Sequence, residues 1–296
     1  MSDFIKSQGD LVIKTTKKNK KPRWHKVGFG SYLVLTLFTL LSVFPFYWMF
    51  IVASNGTEAV SKVPPTLLPG SRFFTVISHV YEAAPTFNQS LLNTVYVGTV
   101  VAVAQVFFSA IAGFAFAKLN FKGQRYMVLF VIGTMMLPSQ LGIIPLFMLV
   151  GKMGLLNQLG ALIVPALVTA FGVFWMRQVI DSQVPNELLE AASIDGAGVF
   201  RAYWSIVVPI ISQSSFVLGL FSFLATWNDY LWPLLVLQNP NNLTAQVAVN
   251  QLKSSYAIDY ALNMGGAFLS TAPLLVLFIL VGRRLVRGVM DGAVKG

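Results

Sequence analysis

The chain has 296 residues, 55% hydrophobic and only 11% charged, with a net charge of +10 and no cysteine. Soluble domains carry about 25% charged residues, so an ordinary soluble globular enzyme is excluded. The lack of cysteine excludes disulfides, thiol catalysis and Cys-ligated metals. In so apolar a chain the placement of the basic residues, rather than their excess, decides what they do.

Residues 1–27 form a basic, polar leader, expected to be a solvated tail. A bilayer core takes about 20 mostly apolar residues in helix. The long gaps between charged residues then predict six helices, at about 28–51, 90–117, 127–149, 159–177, 205–236 and 264–282. The first is too long for a cleavable signal peptide. After it comes a turn-rich outer loop, about 52–89, with Pro64-Pro65 and Pro69-Gly70 and room for a short helix. The second span holds Ala112, Gly113, Ala115 and Ala117, small residues that permit close helix packing. Pro45, Pro138, Pro145, Pro165 and Pro233 lie inside spans and predict kinked or broken helices. The fifth span is too long to cross upright, so it must tilt or begin outside the bilayer.

Six crossings put both termini on one side. That side then carries 17 of the 21 basic residues, while Lys62, Arg72, Lys152 and Lys253 lie on the other. This division predicts that both ends are cytoplasmic, and it replaces the nucleic-acid reading of the charge.

Chemistry is sparse. The two histidines, His25 and His79, have no partner at metal-ligand spacing, and Gly151-Lys152 lacks the upstream glycine of a phosphate loop. No metal, cofactor or enzymatic site is expected. Three glycosylation-like triplets, beginning at Asn55, Asn88 and Asn242, are too short to weigh. Asp229, in Trp227-Asn228-Asp229-Tyr230-Leu231-Trp232-Pro233, is the one ionisable candidate inside a span. Other polar span residues are Asn93, Gln105, Ser109, Ser139, Gln140, Thr169 and Gln213. A stand-alone secondary transporter or channel would carry internal repeats and intramembrane charges. Neither is evident, which points to an energy source in another subunit.

The inner loop at about 181–204 predicts a short helix with Pro185 early, Glu187 at its positive end and Gly196 ending it. A second short helix is expected at about 198–206. Ala191-Ala192 leaves a patch for close approach, and Glu190 can accept charge-assisted hydrogen bonds from a basic partner.

The spacing of Glu190, Ala191, Ala192, Gly196, Ile206 and Pro209 resembles the EAA loop of bacterial ABC importer membrane subunits, with Val208 where that family has Leu. Phe221 to Leu234 looks like the fifth-helix segment of carbohydrate importer permeases. Gly288 to Gly296 is similar to the tail of maltose-type, MalG-like permeases. The resemblance runs over essentially the whole chain after residue 27. It implies an all-α membrane protein with the type I ABC importer permease fold, namely a permease domain over 28–288 and a cytoplasmic tail over 289–296. It also implies a bacterial cytoplasmic-membrane location, a heterodimer with a second related permease, two ATPase subunits and an extracytoplasmic sugar-binding protein met by the outer loop. ATP would be hydrolysed elsewhere. The Glu190–Gly196 loop would be the coupling helix, and Gly292, Ala293, Val294, Lys295 and Gly296 would insert between the ATPases. Sugars take hydroxyl-directed hydrogen bonds and aromatic faces, which makes Trp227, Asn228, Asp229 and Tyr230 the substrate-path candidates.

Overall fold

The structure, a computed structural model, describes residues 28–252 and 259–293, with side chains as far as Gly282 except that of Ser61. The expected leader, Lys253 and the last three tail residues (Val294, Lys295 and Gly296) lie outside the described residues. Two units divide the chain, Met1–Tyr47 and Trp48–Gly296. Regular structure among the described residues is helical throughout, as expected where backbone polar groups must be satisfied without water.

Helix α1, Phe29–Asn55, contains Pro45 without interruption. A single turn at Glu58–Ser61 and helix α2, Phe73–Ala83, follow in the loop after it. Helix α3, Phe87–Lys118, is long and continuous. The next span is not one helix: α4, Gln124–Met135, and the stretch Ser139–Lys152, which includes α5 at Ile143–Lys152, meet at 95°. The cause is Pro138, whose backbone is extended (φ −59°, ψ 125°) and which has no amide hydrogen to continue the ladder. Pro145 falls in the first turn of α5, where the missing amide hydrogen has no partner to lose.

The fourth span is also bent, by 43°, between Gly160–Ala166 (with α6 at Gly160–Ile163) and α7, Ala170–Gln183. Pro165 lies in the 3₁₀ turn ahead of the bend, and Thr169 caps α7 by accepting from the Gly172 amide at 3.1 Å. Helix α8, Asn186–Ile194, occupies the loop between the fourth and fifth spans, and α9 is Val199–Ala202. The second short helix expected at about 198–206 is not a separate element. It runs through a π turn, Tyr203–Val207, into α10, Val208–Asn228, making one helix of 30 residues. The expected fifth span therefore changes at both ends, because it stops at Asn228 instead of 236. Asp229 takes an extended conformation (φ −69°, ψ 126°) before α11, Leu231–Val236. Helix α12, Ala245–Gln251, and α13, Tyr260–Ala293, complete the order, with Pro273 inside α13. Among the described residues four helices are long and apolar enough to cross a bilayer, and up to six spans result when each bent pair counts as one.

One apolar cluster, including Phe114, Met176, Ile180, Tyr203, Val207 and Ile211, joins α3, α7 and the start of the α9–α10 helix. Gly113 allows the closest approach there: a Cβ on it would lie 2.7 Å from the Arg177 amide nitrogen and 2.8 Å from the Met176 carbonyl carbon. The close packing expected of the small residues in α3 is thus located against α7. At the other end, the Asn93 amide donates to the Asn241 and Leu243 carbonyls at 2.9 and 3.0 Å. The Thr94 hydroxyl accepts from the Ala245 amide at 2.8 Å. These bonds fix the turn after α11.

Candidate functional site

Helix α8 starts just after Pro185, which occupies the cap position itself, one place earlier than expected. It ends on Gly196, which adopts φ +79°, a conformation that a Cβ opposes. The Gly196 amide donates to the Ser193 carbonyl at 3.1 Å and the Ala197 amide to the Ala192 carbonyl at 2.8 Å. These two bonds make a Schellman cap, satisfying carbonyls that the helix end would otherwise leave open. Glu190 and Ala191 face solvent and Ala192 is half-buried. Beside them stand exposed apolar side chains: Ile194 is 87% and Phe200 81% accessible, so the hairpin presents a surface suited to another protein.

The same hairpin is rooted in the bundle. Leu189 packs against the cluster of Phe114, Met176, Ile180 and Tyr203. The Lys118 ammonium, at the end of α3, donates to Asn186 Oδ1 at 2.8 Å. Pro209 lies in the first turn of α10, behind the π turn that holds half-buried Ile206. A proline ring collides with the carbonyl four residues back, and the wider π turn gives that carbonyl room. Glu190, Ala191 and Ala192 therefore sit on α8, Gly196 closes it, and Ile206 and Pro209 form the junction to the spanning helix.

A second feature lies where three breaks meet. Ser139 follows the break of the third span, Pro165 to Thr169 mark that of the fourth, and Asn228 and Asp229 that of the fifth. Ser139, Pro165, Ala166, Thr169, Asn228 and Asp229 line one cavity of about 570 Å³, with Thr226, Trp232 and Pro233. Each interruption frees backbone polar groups, and in a membrane such backbone is tolerated where it lines a cavity or is buried in protein. Beside the cavity wall, Gln105 of α3 donates to the Ala166 carbonyl at 2.9 Å and accepts from the Ser222 hydroxyl at 2.6 Å. This buried chain ties α3 and α10 to the bend of the fourth span.

Of the four expected path residues, the cavity takes Asn228 and Asp229. Trp227 is buried against Phe223, ring centroids 5.5 Å apart, and neither it nor Tyr230 is in the lining. Trp232 supplies the aromatic wall, its indole nitrogen donating to the Ala161 carbonyl at 3.0 Å. Trp232 and Thr226 were not singled out from sequence. The break just before Trp232, which places it on the cavity, falls inside the span expected to run to 236 and so gave no signal. Ser139 and Thr169 were among the polar span residues, but nothing in their spacing placed them together.

Residues 105–290 match the family described as binding-protein-dependent transport system inner membrane component. Over 265 residues the chain is 33% identical to the lactose transport system permease protein LacG of Rhizobium radiobacter, covering 90% of this chain and 95% of that protein. The chain belongs to this family. It is also 30% identical to the sn-glycerol-3-phosphate transport system permease protein UgpE of Yersinia pestis, over 88% of this chain and 95% of the relative. The solved structure of a bacterial ABC transporter involved in import of the acidic polysaccharide alginate superposes with a TM-score of 0.75 at 20% identity, over 86% of this chain and 94% of that one. The fold is thus that of an ABC importer permease. This inner-membrane component is a multi-pass transport subunit, and ATP hydrolysis belongs to separate subunits of such systems. A second permease, ATPases and a binding protein are the general partners of such a subunit. The family match takes in both the α8 hairpin and the cavity at the three breaks.

Proposed function

We propose that this permease forms half of the path for a sugar or oligosaccharide in a heterodimer with a second related permease. The α8 end, and with it both termini, faces the cytoplasm. One observation carries the coupling part: a hairpin with an exposed apolar and acidic face is rooted through Leu189 in the cluster shared by three spanning segments. Force applied at Glu190 to Gly196 by an ATPase subunit therefore reaches α3, α7 and α10 together, as a rigid lever moves a two-state element. Glu190 pairs with a basic residue of the ATPase. Gly292 and Ala293 end α13, and with Val294, Lys295 and Gly296 they reach between the two ATPases.

The cavity of Asn228, Asp229, Thr226 and Trp232 has the composition a carbohydrate needs, with hydroxyl-directed hydrogen bonds and an aromatic wall. The lactose permease relative supports a sugar substrate, while the glycerol-3-phosphate relative keeps phosphorylated polyols within range. The binding protein delivers that solute to the outer loop. The test is sugar-stimulated ATPase activity and uptake by the assembled transporter with its binding protein. Glu190→Gln is expected to lower uptake per ATP hydrolysed, with normal insertion. Asn228→Ala and Asp229→Asn are expected to weaken transport without altering basal hydrolysis. Normal coupled uptake in all three variants, or full activity of this chain alone, refutes the proposal.

A further inference from the structure

Two arginines from different spanning segments share a cavity of about 270 Å³ at the α8 end of the bundle: Arg125, in the first turn of α4, and Arg177 of α7. Among the described residues neither has a carboxylate within ion-pair distance, and the Arg125 guanidinium has no hydrogen bond to them. Arg177 spends Nε on the Phe116 carbonyl at 3.4 Å and one N–H of Nη1 on Gln178 Oε1 at 3.0 Å. A guanidinium has five N–H donors, so three of its donors remain without a protein acceptor.

The surroundings add positive potential: the nearest acid along α7, Asp181 one turn on from Arg177, forms no ion pair with it. Helix α4 begins after Gly123 with no side-chain cap and no acidic residue in its first turn, so its positive end lies beside Arg125. Exposed Lys122 adds another charge three residues earlier. The rest of the lining is Gln124 and Phe116 with Val128 and Leu129, the last two continuing along α4 into the apolar span. A charged mouth above an apolar wall at the membrane edge fits a molecule with an anionic head and a hydrocarbon tail.

We propose that Arg125 and Arg177 bind the phosphate of an anionic phospholipid from the leaflet at the α8 end, its acyl chain lying along Val128 and Leu129. This site is separate from the coupling surface of α8 and from the cavity at the three breaks.

The test uses the assembled transporter, purified and titrated with phosphatidylglycerol or phosphatidylcholine, with bound lipid read by native mass spectrometry. The wild type is expected to retain phosphatidylglycerol preferentially. Arg125→Gln is expected to weaken that retention about fivefold, the effect of about 1 kcal/mol per basic residue near an anionic surface, with phosphatidylcholine unchanged and Arg125→Lys restoring most of it. The Arg125 side chain bonds to none of the described residues, so its loss leaves the fold intact; Arg177→Gln also removes the bond to Phe116 and serves as the second variant. Equal retention of the two lipids, or wild-type retention by Arg125→Gln, overturns the proposal. Displacement of the lipid by millimolar inorganic phosphate assigns the site to a free anion and overturns it as well. Protection of residues 122–129 from hydrogen exchange that follows the ATPase subunits and not the lipid assigns it to a protein partner, with the same result.

Discussion

Replacing Gly196 by alanine isolates the backbone cost of the turn that closes α8. Among the described residues a Cβ at this position meets no atom within 4 Å, so the substitution introduces no clash there. What remains is the conformation itself, φ +79°, which costs a residue with a Cβ about 1–2 kcal/mol. At about 1.4 kcal/mol per tenfold, the closed turn is disfavoured roughly five- to thirtyfold against unwound alternatives. Asparagine tolerates this region and is expected to lose less, whereas valine, branched at Cβ, loses more. Hydrogen exchange reads the turn directly. The amides of Gly196 and Ala197, held by bonds of 3.1 and 2.8 Å, are expected to exchange faster in the alanine variant by a similar factor. In proteoliposomes holding the assembled transporter, coupled uptake is expected to fall in the order Gly, Asn, Ala, Val. Unchanged exchange and uptake in Gly196→Ala would sink this reasoning. Equal damage from Asn and Val would locate the effect in a partner packed against Gly196 instead of in the backbone.

Gly113→Ala has the opposite logic. Its Cβ meets the backbone of Met176 and Arg177 below 3 Å, so α3 and α7 must separate, and about 1–3 kcal/mol is lost, seen as a lower melting temperature in detergent. For the buried chain at the fourth-span bend, Gln105→Leu strands the Ser222 hydroxyl and the Ala166 carbonyl and costs about 1–3 kcal/mol. Ser222→Ala added to it should cost less than it does alone; additive losses in a double-mutant cycle would show that the two are not coupled. Asp259 caps the start of α13 through the Leu262 amide and accepts from the Thr57 hydroxyl. Burial disfavours its charge, yet the bonds from Thr57 and the Leu262 and Ala261 amides, with His79 nearby, hold its carboxyl below the ordinary range. A depressed folded value means that the stabilisation is complete above the unfolded value, about 3.9, and is lost as pH falls through the folded one. Thr57→Val should flatten this acid dependence, measured by hydrogen exchange at the start of α13; an unaltered pH profile would rule out the latch.

The α8 hairpin was legible because its determinants are local. Gly196 closes a turn whose hydrogen bonds span five residues or fewer, and Pro209 acts on a carbonyl four residues away, so spacing in the sequence reports geometry directly. Even here the π turn was not anticipated, since an extra residue within a helical turn leaves the apolar pattern nearly unchanged. The prolines showed that helices break but not how far. Pro45 and Pro273 are absorbed within α1 and α13, while Pro138 turns the chain through 95°. A proline in a spanning helix bends as far as its neighbours can re-satisfy the freed carbonyls, and those neighbours are tertiary.

The sequence by itself determined that the chain spans a membrane in helices, because a bilayer demands about 20 apolar residues per crossing whatever the packing. It also placed a short helix around Glu190, closed by Gly196, between the fourth and fifth spans. Only the tertiary structure decided that Ser139, Thr169, Asn228 and Asp229 share one cavity and that Arg125 and Arg177 share another. It likewise turned Trp227 into the core and Trp232 toward the cavity. Residues far apart in the chain meet only where helix breaks and crossings bring them together, and those depend on the packing of the whole bundle.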